Sequence, residues 1–81
     1  MINEIYNKYG FEAMREVWIE ELLELATKLQ RSKRHEVIDA AIITEIADVD
    51  FCIDQMKFVY GENECNVEKQ YKMDRTKKRL L

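Results

Sequence analysis

The chain has 81 residues, which fits one small domain with a thin core, and 47% of them are hydrophobic, enough to build a folded interior. Two glycines and no proline argue against turn-rich β structure and for long helices. Charge is uneven: residues 1–68 carry 7 bases against 15 acids and residues 69–81 carry 6 bases against one acid, and the acidic body argues against nucleic-acid binding as the main task.

Residues 2–9 predict a short helix with Ile2, Ile5, Tyr6 and Tyr9 on one side. Gly10 is placed to end it, because glycine tolerates the left-handed backbone found just past helix ends. Phe11 leads into a first long helix over 12–30, whose apolar residues, Met14, Trp18 and Leu25 among them, cover one broad side at about 100° per residue. Residues 30–35 read as a basic loop, with Ser32 a candidate N-cap. A second long helix over 36–60 opens on Glu36 and Asp39, acids that suit a positive helix N-terminus, and Gly61 closes it. Its seam runs through Ile38, Ala41, Val49, Cys52, Met56 and Val59. Asn66 is a candidate cap for a third helix over 67–80, where apolar positions are sparse.

Two long helices joined by a short loop form an antiparallel hairpin, so the expected fold is all-α, a single domain over 1–81 with short flanking helices. The apolar arcs are wider than one hairpin contact needs. That excess predicts a homodimer with a four-helix-bundle-like core. Cys52 reads as a small core residue and Cys65 as incidental, with no metal-knuckle spacing between them. No apolar run is long enough to cross a bilayer and no stretch reads as a secretory leader. The expectation is therefore a cytoplasmic, reduced protein with no membrane contact.

Four acids break the helical pattern. Glu21 and Glu24 are three residues apart, as are Glu45 and Asp48, and this spacing sets each pair on one face of its helix. Both pairs intrude on apolar arcs, and Glu45 projects from the middle of the second seam. A single such pair is usually a solvated face with partners such as Glu24–Lys28. Two pairs facing each other would repel and suffer desolvation unless neutralised, and hard divalent cations prefer oxygen ligands. The reading is a magnesium site, with manganese as a substitute, held by Glu21, Glu24, Glu45 and Asp48. Carboxylate-bound magnesium keeps positions open for water and substrate phosphates. No serine or cysteine nucleophile with a partnering base accompanies the acids, and no glycine-rich phosphate loop. The reaction class that these residues permit is hydrolysis by metal-activated water, with Glu20 or Glu21 placed to take its proton.

Glu-Glu-Leu-Leu-Glu-Leu-Ala at 20–26, followed by Glu-Ile-Ala-Asp-Val at 45–49, resembles the paired motifs of the MazG-like nucleoside triphosphate pyrophosphohydrolases. The resemblance runs from Tyr9-Gly10-Phe11-Glu12 through Tyr60-Gly61 and is nearest to small single-domain versions common in bacteriophages. It implies magnesium on Glu21, Glu24, Glu45 and Asp48, and cleavage of a (deoxy)nucleoside triphosphate to monophosphate and pyrophosphate. It also implies dimers or tetramers of helical hairpins.

Gln55, near Asp48, is a candidate substrate contact or a polar residue at the edge of the seam. Lys72, Arg75 and Arg79 share one face of the last helix, where they either meet phosphates or simply favour its C-terminus. Lys57 reads as solvated, Trp18 as core, and His35 as an exposed loop residue. A redox di-metal bundle would need Glu-x-x-His pairs, and Ser32 stands three residues before the only histidine. A non-enzymatic helical adaptor is the alternative function.

Overall fold

A computed structural model describes residues 1–32 and 39–80, and within them all regular structure is helical. The elements are α1 (Ile2–Arg31), α2 (Ala40–Tyr60) and α3 (Glu62–Leu80). Packing joins α1 to α2 and α2 to α3, while α1 and α3 do not touch. No helix among the described residues is long and apolar enough to cross a membrane.

Gly10 divides α1 as its position in the sequence predicts. Its φ of 84° and ψ of 168° are not helical, and they kink the element between an N-terminal arm and the long segment that starts at Phe11. A Cβ at Gly10 would meet nothing within 4 Å, so the requirement for glycine there comes from the backbone alone. The kink brings Ile5 and Phe11 against the core formed by Met14, Trp18 and Cys52, with Met56 and Val59 completing it from α2. Phe11, Trp18 and Tyr60 meet at ring centroid separations of 6.0–6.4 Å. These tilted and edge-on contacts suit the charge distribution of aromatic faces and edges.

The helix ends differ from expectation in three places. Ser32 terminates α1, its backbone N–H donating to the carbonyl of Lys28 at 3.0 Å, rather than starting the next helix. Asp39 is not inside α2 but caps it: its Oδ1 accepts from the N–H of Ala41 at 2.8 Å, and the first turn holds no acid. The expected start at 36, with Glu36 and Ile38, lies outside the described residues, as does His35. Ala41, expected in the seam, is exposed. The third helix begins at Glu62, five residues earlier than expected. Gly61, with φ of 114°, ends α2, and its carbonyl accepts from the N–H of Cys65 at 3.1 Å to open α3. Asn66 is therefore helical, and its side chain accepts from Lys57 Nζ at 2.9 Å, tying α2 to α3. Lys57 is half-buried rather than solvated.

The start of α3 has a charge explanation. Glu62 and Glu64 sit in its first turn and Lys77, Lys78 and Arg79 in its last, an arrangement that opposes the helix dipole at both ends. It buries no residue.

Candidate functional site

Antiparallel packing of α1 on α2 brings the two acid pairs to one place. One carboxylate oxygen from each of Glu21, Glu24 and Glu45 lies within 4.8 Å of the others. Glu45 is only 8% exposed, Glu21 is half-buried and Glu24 is exposed. The fourth predicted acid, Asp48, is exposed and outside that tight trio, yet close enough for its charge to act on Glu21.

The electrostatics are unbalanced. Burial pushes the Glu21 carboxyl above its ordinary value, and the charges of Glu24, Asp48, Glu45 and Glu20 push it further in the same direction. Burial likewise raises the Cys52 thiol, with smaller contributions from Glu21 and Asp48. Lys28 Nζ stands 3.8 Å from Glu45 Oε1, a loose pair that answers one oxygen of the set. Glu21 Oε2 and Glu45 Oε2 are both buried and have no hydrogen-bond partner. Buried polar atoms are nearly always satisfied, so two such orphans in one cluster mark a place suited to an added positive charge. All-oxygen donors at this spacing fit a hard divalent cation.

Beside the acids lies an open groove of about 530 Å³, whose lining includes Glu20, Leu23, Glu24, Lys28, Arg31 and Glu45. Lys28 and Arg31 are site residues that the sequence reading missed. The signal was present: 24, 28 and 31 fall on one helical stripe, the one that carries the first acid pair. Lys28 turns across to Glu45 on α2, so the local Glu24–Lys28 pair considered from spacing is not its ion pair.

The other predicted residues fall in two groups. Glu20 is exposed and lines the groove. Gln55 is buried, 6% exposed, and its Oε1 accepts from Trp18 Nε1 at 2.9 Å. Lys72, Arg75 and Arg79 are exposed on α3, and no contact joins them to the acids among the described residues. Arg75 sits 5.8 Å from the centroid of the Tyr71 ring on its own helix.

In comparisons with known protein families, with curated proteins and with solved structures, nothing matches this chain.

Proposed function

We propose that this protein is a magnesium-dependent nucleoside triphosphate pyrophosphohydrolase, releasing pyrophosphate and a monophosphate from a (deoxy)nucleoside triphosphate. The observation that carries the reading is the pair of buried, partnerless oxygens, Glu21 Oε2 and Glu45 Oε2, within a trio of carboxylates whose oxygens meet inside 4.8 Å. The motif resemblance at 20–26 and 45–49, carried by these same acids, points to the same chemistry. In the proposed site Glu21, Glu24 and Glu45 hold magnesium or manganese, and Asp48 completes the set from the exposed side. The bound cation supplies Lewis acidity toward phosphate oxygens and toward an attacking water.

The chain's own residues do the rest. Lys28 and Arg31 line the groove next to the acids, where their charge attracts the polyphosphate and the guanidinium can grip two oxygens at once. Glu20, exposed at the same groove, is available to take a proton from water. Glu21 is the other candidate base, since its raised carboxyl brings it nearer to neutral pH. Lys72, Arg75 and Arg79 belong to the proposed substrate contacts only if an assembly brings α3 to the groove.

A homodimer is part of the same proposal. At about 100° per residue, Ile19, Leu22, Ala26 and Leu29 form one stripe on α1, and Ile42, Ile46 and Ile53 form one on α2. Both stripes turn away from the side that carries Glu24 and Asp48. Leu22, Ile46 and Ile53 are 39–51% exposed, apolar surface that a second copy would cover. The same surface would serve a helical adaptor, which is the second reading.

The test is a panel of ribo-, deoxyribo- and oxidised nucleoside triphosphates incubated with the protein and magnesium, followed by pyrophosphate release. At least one should be cleaved. Glu21→Gln and Glu45→Gln should each lower the rate about 100-fold or more, the scale of losing a metal ligand or its orientation, with helical circular dichroism unchanged. Silence across the panel with folded protein would favour the adaptor.

A further inference from the structure

An open groove of about 760 Å³ runs along α3 alone, and its lining includes Cys65, Lys69, Lys72, Met73, Lys77 and Leu80. At about 100° per residue, Cys65, Lys69, Met73, Thr76 and Leu80 form one stripe, with Lys72 and Lys77 at its two edges. Met73 and Leu80 are exposed. Helices in proteins draw most of their stability from a packed face, and α3 buries no residue against its own chain. Near its start it is tied to α2 by Lys57 Nζ donating to Asn66 Oδ1. Beyond that point its groove has no occupant among the described residues.

The matching surface is on α2. Val49 and Cys52 mark its core side, and roughly opposite them Ile43, Ala47 and Phe51 form a second apolar stripe, accompanied by Asp50 and Asp54. Ile43, Phe51 and both acids are exposed. A helix that is apolar on opposite sides is one that becomes covered on both. None of Asp50, Asp54, Lys69, Lys72 and Lys77 has an ion pair among the described residues. The two stripes agree in order as well as in charge. Laid antiparallel with Lys69 opposite Asp54, they set Lys72 beside Asp50, Met73 beside Phe51, Thr76 against Ala47 and Leu80 against Ile43. One chain is poorly built to make this pairing with itself. Gly61 alone separates α2 from α3, and helices lying side by side use connections of about 2–8 residues.

We infer that α3 docks on the outer stripe of α2 in a second copy of this chain, and that the two copies exchange their third helices reciprocally. Lys69 with Asp54 and Lys72 with Asp50 fix the register, while Met73, Leu80, Ile43 and Phe51 leave water together. Asp48 lies about 100° around α2 from the middle of this stripe, so the contact leaves the acid groove open. Ile46 and Ile53 lie about as far round on the other side, so the exchange is separate from the apolar hairpin surface and doubles whatever assembly that surface forms. It does not depend on the pyrophosphohydrolase reading.

The readout is the sedimentation mass of the full chain, for the wild type and for two charge-reversed proteins, Lys69→Glu with Lys72→Glu and Asp50→Lys with Asp54→Lys. All four positions are exposed, and helical circular dichroism checks that each protein is folded. Each reversed protein sets like charges face to face, so its association should weaken at least about ten-fold and its mass should fall to half that of the wild type. An equimolar mixture of the two restores opposite charges at both contacts and should regain the wild-type mass. Reversed proteins that keep the wild-type mass, or a mixture that stays at half of it, overturn the exchange. Salt supplies a test that needs no variant. The wild-type mass should halve between about 0.05 M and about 1 M salt, where screening shortens to ~3 Å, and a mass indifferent to salt overturns the inference.

Discussion

The α1–α2 hairpin and α3 are helices of different kinds. The hairpin buries Met14, Trp18, Val49 and Cys52 and places Glu45 and Gln55 among them, whereas α3 buries nothing. Burial determines the first, and local charge and hydrogen bonding shape the second: acids at the start, bases at the end, and Gln70 Nε2 donating to Asp74 Oδ1 at 3.0 Å one turn on. The polar groups of the hairpin are therefore expensive and informative, and those of α3 are cheap. A carboxylate pair at the hairpin needs a reason to be there, while a basic stripe on α3 needs none.

Substitutions of aromatic residues on either side should expose the contrast most strongly. Trp18→Ala removes a ring that is 3% exposed and leaves Gln55 Oε1 without its donor, so it should cost about 3–5 kcal/mol in denaturant unfolding. Tyr71→Ala, at an exposed position on α3, should stay within about 0.5 kcal/mol. Equal costs would mean that α3 packs as the hairpin does. The kink comes next. Gly10→Ala forces a Cβ onto a backbone with φ of 84° and ψ of 168° and should cost about 1–3 kcal/mol, although no neighbour would be touched. The smallest effect should come from pH. Since the Glu21 carboxyl is raised in the folded state, the native chain binds its proton more tightly than the unfolded chain does, and stability falls as pH rises through that raised value. Lowering the pH of the metal-free protein from 7 toward the ordinary carboxylate range should therefore raise Tm. Glu21→Gln should flatten that slope, and an unchanged slope would remove Glu21 as its source.

Much of the hairpin was legible in the sequence because burial leaves a period. Met14, Trp18, Val49 and Cys52 sit at helical spacing, and the intrusion of Glu45 into that pattern is what marks it. Gly10 and Gly61 were legible because positive φ favours one residue type. The start of α3 was not, since Glu62-Asn63-Glu64 is as polar as a loop and only its place against the helix dipole gives it away. Lys28 was seen as a partner for Glu24 on its own helix, because spacing along one helix cannot reveal an ion pair to Glu45 on the next. The bond between Trp18 and Gln55 spans 37 residues and follows from tertiary packing alone. Asp48 shows the limit from the other side: its spacing matches that of Glu24, yet it lies exposed outside the trio.

The central claim is that Glu21, Glu24 and Glu45 gather because a divalent cation belongs between them. Thermal melting of the full chain, with manganese or magnesium titrated against chelator, tests it directly. A cation that binds only the folded state should raise Tm with concentration, by an amount equivalent to about 2.7 kcal/mol at one hundred times its Kd. Glu45→Gln should melt higher than the wild type without metal and lose the response to it. A wild-type Tm indifferent to both ions, or a response that Glu45→Gln retains in full, would contradict the account.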